Sequence, residues 1–355
     1  MRIFLSMVSV LFLLFVNCKS PVAPAKKGPR DYTWTRTTLG DGTYQIILSE
    51  VWGSSANDVY VVGHGGSTVF DGKIWHFNGS VWSDITTKYK EAFNEAFPGR
   101  STFYWAPAGV WGFGPNDVWI VGYRDTSEIS QEHKQGFVIR YNGSVWRETP
   151  IPGANSLYCV WGTSPNDVWA AGQLGRLYHF DGTGWAGYQV SDSVFISTYS
   201  GSVGSNMYTT GHHLAGGSPH HSLLEWNGSN WSIAEVSSGS PAPTFDVAHV
   251  VDGMLYSAVY DAVGSELRKR IAPGSWSPVF TMPNLRMIRA KGRSGSDIIA
   301  VGYNEAIVHY NGSDAKVLRQ TTDSIEYADL FLFESEVFAI GANANRTIGF
   351  VIHGK

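Results

Sequence analysis

The chain has 355 residues, 43% of them hydrophobic and 14% aromatic, enough apolar material for one large all-β domain or two ordinary ones. Only 16% are charged and 40 are glycine, a mix that suits many short strands joined by tight turns. A net charge of -4 with no basic block excludes nucleic acid as the main partner, and beyond Ser20 no run is apolar for long enough to span a membrane.

In chain order, Met1-Arg2 is a short positive segment and residues 3–16 form an apolar stretch of signal-peptide length. It ends at Phe15-Val16-Asn17-Cys18, which resembles a relaxed bacterial lipobox; Leu is usual where Phe15 stands, and Gly, Ala or Ser where Asn17 stands. The resemblance implies removal of residues 1–17, lipidation of Cys18 and a tether over residues 18–30. Several acyl chains would anchor it firmly, since each buried CH₂ contributes about 0.8 kcal/mol. The alternative is an ordinary cleaved signal peptide with a chance cysteine. The other cysteine, Cys159, precedes a Val-Trp-Gly unit and reads as a small buried apolar residue, so no disulfide framework is in play.

From residue 51 onward one unit repeats. Val51-Trp52-Gly53 leads through Asn57-Asp58 to Val59-Tyr60-Val61-Val62-Gly63; Val110-Trp111-Gly112 leads through Asn116-Asp117 to Val118-Trp119-Ile120-Val121-Gly122; Val160-Trp161-Gly162 leads through Asn166-Asp167 to Val168-Trp169-Ala170-Ala171-Gly172. A third strand then runs into Asn78-Gly79, Asn142-Gly143 or Asp181-Gly182, and a fourth opens on Trp82, Trp146 or Trp185. Four weaker copies follow, so that the aromatic position of the second strand is Tyr60, Trp119, Trp169, Tyr208, Tyr256, Ile299 and Phe338. Spacings of roughly 40 to 50 residues are those of four-stranded propeller blades. Strand two is apolar on both faces, as a blade packed on both sides requires. The Gly of each Trp-Gly is expected to let the innermost strand crowd the central axis. The Asn-Asp and Asn-Gly pairs read as turn chemistry, and the Asn-x-Ser/Thr matches arise mostly from the same hairpins.

Copy seven stops at Lys355 without a fourth strand, while residues 32–39 have a strand-like pattern before copy one. This predicts that the N-terminal strand completes the last blade and closes the ring. The expected fold is all-β: a seven-bladed propeller of four-stranded antiparallel blades over residues 31–355. The repeats look like the bacterial Val-Trp-Gly/Asn-Asp-Val-Trp propeller repeats of secreted proteins and lipoproteins, distantly similar to BNR/Asp-box and kelch-type propellers. That resemblance implies the fold and leaves function open. The sialidase pattern Ser-x-Asp-x-Gly-x-Thr-Trp is absent, which counts against a sialidase.

The turns between strands one and two, and three and four, are short and repetitive. The other connections carry the insertions, at residues 86–108, 123–136, 212–222 and 237–246, and this variable-loop face is the expected binding face. The residues after the strand-two glycine slot, His64, Tyr123, Gln173, His212, Tyr260, Tyr303 and Ala342, are expected to ring the channel mouth, with Arg124 beside Tyr123. Such side chains suit a sugar or a peptide; the plainer role is packing of loop bases. His212, His213, His220 and His221 fit no established metal motif and read as solvated loop histidines, so no metal or cofactor is expected.

The leading expectation is a monomeric, lipid-anchored envelope scaffold that binds a protein or carbohydrate. The alternative is an envelope carbohydrate-active hydrolase or lyase drawing on Asp71, Arg124, Asp125, Arg176, Asp192, Asp246, Asp261, Glu305 and Arg346, for which two carboxylates must converge at a defined separation. A metal enzyme built on the histidine pairs ranks last.

Overall fold

The computed structural model of the chain describes residues 27–40, 45–66, 71–89, 104–125, 134–213, 220–237, 245 and 247–355. Residues 1–17, Cys18 and most of the tether lie outside them, as do Asp246 and much of the insertions. The described strands form seven antiparallel four-stranded sheets. Blade one is β2 (Gln45–Ser55), β3 (Asp58–Gly66), β4 (Gly72–Phe77) and β5 (Trp82–Asp84). Blade two is β6 (Tyr104–Gly114), β7 (Asp117–Asp125), β8 (Lys134–Tyr141) and β9 (Trp146–Glu148). Blade three is β10 (Leu157–Ser164), β11 (Asp167–Gly172), β12 (Arg176–Phe180) and β13 (Trp185–Gln189). Blade four is β14 (Val194–Val203), β15 (Asn206–His213), β16 (His221–Trp226) and β17 (Trp231–Val236). Blade five is β18 (Ala248–Val251), β19 (Met254–Tyr260), β20 (Gly264–Ala272) and β21 (Ser275–Pro283). Blade six is β22 (Met287–Ser294), β23 (Asp297–Gly302), β24 (Ile307–Tyr310) and β25 (Ala315–Arg319).

Blade seven takes β26 (Ile325–Leu332), β27 (Val337–Asn343) and β28 (Gly349–Gly354) from the C-terminal end, and its fourth strand is β1 (Trp34–Gly40) from the other end. Trp34 opposes Gly354 and Thr37 opposes Val351, with Thr33 and Lys355 exchanging backbone hydrogen bonds at the margin. The expected closure is therefore present. Pairing head to tail covers the edge that β28 would otherwise expose.

Packing between blades follows from strand-two alternation. Val59 and Val61 join Phe338, Ile340 and Val351 of blade seven, while Tyr60 and Val62 join Val110, Val118 and Ile120 of blade two. All seven residues of the aromatic position are buried. The glycines of Trp-Gly serve these contacts and not the axis. A Cβ on Gly112 would meet the Trp52 ring at 2.5 Å, one on Gly162 the Phe113 ring at 2.7 Å, and one on Gly53 the Phe333 ring at 2.6 Å. Each glycine makes room for an aromatic of the preceding blade.

The Asp of Asn-Asp has a role beyond its own turn. Asp58 accepts from Ser54 and pairs with His76 Nε2 at 2.7 Å, and the His76 ring stacks on Tyr60 at 4.4 Å. Asp167, Thr163, His179 and Trp169 repeat the arrangement, with rings 4.2 Å apart. In blade two Arg140 replaces histidine, pairing with Asp117 at 2.8 Å and lying 4.6 Å above Trp119. Each carboxylate thus holds a third-strand cation or imidazole over the aromatic of strand two. The Asn-Gly reading holds as expected: Asn78 Oδ1 accepts from the backbone N–H of Ser80 and Val81, and Gly79 sits at φ +89.

Candidate functional site

In this topology the connections from strand two to strand three and from each blade to the next open on one face, and the innermost strands β2, β6, β10, β14, β18, β22 and β26 begin there. Several of the expected insertions are shorter than the sequence suggested. Residues 104–108 already belong to β6, Tyr123 and Arg124 to β7, His212 and His213 to β15, and His221 and Ser222 to β16.

Of the seven ring residues, the structure brings Tyr260 and Tyr303 into direct contact, centroids 6.3 Å apart at 68°. Between them lies Arg286, whose guanidinium carbon is 4.4 Å from the Tyr260 centroid and 4.7 Å from that of Tyr303. Burial and then the neighbouring Glu326 push the Tyr303 hydroxyl up to about 12. On the other side of the mouth two residues of the innermost strands link Tyr123 to His212. Tyr123 meets Tyr158 at 5.9 Å, Tyr158 meets Phe195 at 5.7 Å, and Phe195 stacks on His212 at 5.5 Å and 4°. Lys134 Nζ lies 4.8 Å over Tyr123. This arc crosses blades two, three and four, and each of its rings keeps some exposed surface.

The remaining expected residues contribute less to that surface. His64 is almost wholly buried, and burial, with help from Arg346 and Lys134, lowers its imidazole to about 4, so it is neutral at pH 7. Arg124 is also buried, in an ion pair with Glu148 at 2.8 Å and a hydrogen bond to Gln135 at 3.2 Å; it braces blade two and has no free face. Gln173 opens a short 3-10 turn (Gln173–Gly175), its N–H bonded to the carbonyl of Ser156. Ala342 adds no polar group.

Three of the four histidines, His212, His213 and His221, are strand residues, while His220 precedes β16 as an exposed loop residue. His212 opposes His221 across β15 and β16, and the His213 ring is 2.7 Å from Ser222 Oγ. Among the described residues no three His, Cys, Asp or Glu side chains gather as a metal site.

The polar candidates for catalysis are mostly engaged within their own blades. Asp71 pairs with Lys73 at 3.8 Å, Asp192 with Gln189, and Asp261 caps its turn at Val263 and Gly264. Arg176 reaches the carbonyl of Gly153 at 3.3 Å, and Glu305 is fully buried against Arg319 at 2.8 Å. Glu326 is half-exposed at the mouth, 3.8 Å from Arg346.

Deeper in the channel lies a charged group that the sequence reading did not foresee. Glu50 accepts from the N–H of Val110 at 2.8 Å, Asp329 accepts from Val51 at 3.3 Å, and Lys291 pairs with Asp329 at 2.8 Å. Side chains of blades six, seven and one thereby stitch successive inner strands. Burial first, and then Asp329, lift the Glu50 carboxyl to about 8 against the opposing pull of Lys291 and Arg289.

No protein-family model and no curated protein matches the chain. By fold it is similar to solved propellers. YCF48 bound to D1 peptide superposes with a TM-score of 0.65 at 12% identity, covering 94% of this chain and 99% of that one. YCF48 from Cyanidioschyzon merolae gives 0.59 at 12%, covering 89% and 98%. The WD40 propeller domain of Doa1 gives 0.56 at 10%, covering 91% and 96%. At such identities the likeness is one of fold, and it agrees with a seven-bladed ring resembling YCF48 and WD40 propellers.

Proposed function

We propose that this chain is a binding and assembly scaffold of the bacterial cell envelope, held by lipid on Cys18, that grips a protein segment across the mouth of its variable-loop face. The observation that carries the reading is the run of partly exposed rings Tyr123, Tyr158, Phe195 and His212 across three blades. Rigid aromatics on a fixed scaffold give large contact area for little lost side-chain freedom. A propeller of similar fold has been solved with a D1 peptide bound, which supports a peptide as the class of ligand. A glycan ranks second: successive rings of the arc are turned by 69° and 41°, making a corrugated surface where stacked sugars favour a flat one. The hydrolase or lyase reading keeps one point of support, Glu326 beside Tyr303 and Arg346.

Site-specific photo-crosslinking in cells producing the full chain tests the face. A crosslinker replacing Phe195 is expected to trap a discrete protein adduct. One replacing Val81, exposed on the short-turn face, is expected to trap none. Adducts from position 81 alone, or from neither, contradict the reading. For the anchor, Cys18→Ala is expected to abolish incorporation of labelled fatty acid; unlabelled wild-type protein contradicts it.

A further inference from the structure

Tyr260 and Tyr303 form a notch, and Arg286 lies in it. Arg286 belongs to the short connection from β21 to β22, and its backbone carbonyl accepts the N–H of Tyr303 at 2.8 Å. Both ends of the residue are therefore positioned: the main chain by blade six and the guanidinium by two ring faces. The side chain is exposed. A guanidinium carries five N–H donors in a fixed fork that matches a carboxylate. Elsewhere this chain gives such forks a carboxylate, as with Arg140 and Asp117, Arg293 and Asp297, or Arg319 and Glu305. Among the described residues no hydrogen bond or ion pair engages the Arg286 guanidinium.

Other charged side chains stand on the same face. Arg346 and Lys134 both act on His64, and Arg286 adds a third cation. Glu326 lies beside Tyr303 and 3.8 Å from Arg346, and Asp261 follows Tyr260 in its turn.

We infer that Arg286, seated between Tyr260 and Tyr303, anchors a carboxylate on the bound segment, so that the mouth selects acidic peptides. The inference rests on the peptide-binding reading above and adds the chemistry of its ligand. Cation–π seating preorganises the guanidinium, so little freedom is lost when the carboxylate arrives. Glu326, beside Tyr303, repels a second carboxylate and accepts a backbone or side-chain N–H next to the anchored acid. The rings of the Tyr123–His212 arc then receive the apolar side chains that follow.

The test is selection of a random dodecapeptide display library on the immobilised full-length protein in detergent, with wild type, Arg286→Gln, Arg286→Lys and Phe195→Ser compared. The wild-type pool is expected to be at least about twofold richer in Asp and Glu than the input. Individual acidic clones are expected to bind Arg286→Gln at least about tenfold more weakly, the loss of one charge-assisted contact. Arg286→Lys, which keeps the charge and loses the fork, is expected to fall between the two. Unchanged melting temperatures of the Arg286 variants show that the anchor and not the fold was altered. A wild-type pool that is enriched but not acidic, and is lost in Phe195→Ser, overturns the carboxylate anchor and leaves peptide binding at the mouth standing. Equal acidic pools from wild type and Arg286→Gln overturn the anchor in the same way. A wild-type protein that selects no peptide overturns both, and its binding of an oligogalacturonate in that case identifies an acidic glycan instead.

Discussion

Phe338→Ala probes the seam at which the ring is closed. Phe338 is fully buried, stacks on His353 at 4.0 Å, and reaches across to Phe77 at 5.9 Å and Trp82 at 6.4 Å, with Phe333 at 5.8 Å. It joins blade seven to blade one from within blade seven. Truncating a buried phenylalanine to alanine costs about 3–5 kcal/mol, the lost transfer energy plus the cavity. The upper part of that range applies, because four aromatic partners cannot all collapse into the space. With an unfolding entropy near 2.1 cal/mol/K per residue, a domain of this size loses roughly 1.5 °C of Tm per kcal/mol. The expected drop is about 6–7 °C, followed by tryptophan fluorescence on heating. Val81→Ala, at a position 57% exposed, is the control and is expected to stay within about 0.5 kcal/mol of wild type. A loss below about 1 kcal/mol for Phe338→Ala, indistinguishable from the control, refutes the assignment of this ring to the closing interface.

Two further outcomes follow from the channel and its surroundings. The Glu50 carboxyl titrates near 4.5 in its ordinary state and near 8 in the fold, so the folded chain favours its protonated form. Its contribution to stability is whole below about pH 4.5 and is lost as pH rises through about 8. Urea midpoints measured from pH 5 to 8.5 are expected to fall less steeply in Glu50→Gln than in wild type, and equal slopes contradict the account. Cys159 is buried, and burial together with Glu50 pushes its thiol well up. Native protein is expected to resist N-ethylmaleimide at this position until denaturant is added; rapid modification of the folded chain, located by peptide mass, contradicts its place in the core.

The blade was legible in the sequence because its signals are local. Asn78-Gly79 makes its turn within four residues, and Tyr60 and Val61 divide between two faces by alternation alone. The closure was legible as well, since copy seven lacked a strand that Trp34 and its neighbours were able to supply. The Asp58–His76–Tyr60 stack was not, because it joins three strands whose register is set only on folding. The mouth was half legible. Counting from the strand-two glycine found Tyr123, His212, Tyr260 and Tyr303, but not Tyr158, Phe195 or Arg286. Tyr158 sits in a bulge between Leu157 and Cys159, which breaks the two-residue count on the innermost strand. Phe195 opposes His212 directly, so cross-strand pairing of blade four would have found it. Arg124 shows the opposite error: one residue past Tyr123, it turns into the blade toward Glu148.

The N-terminal strand ties the two ends of the chain together in blade seven, so closure is the claim to measure most directly. Thr37 and Val351 are opposed in β1 and β28. The double variant Thr37→Cys with Val351→Cys is expected to form a disulfide under mild oxidation, leaving the two terminal peptides joined after proteolysis. Thr37→Cys with Ile352→Cys, whose side chains point to opposite faces, is expected not to. No link in the aligned pair, or equal links in both, contradicts the closed ring.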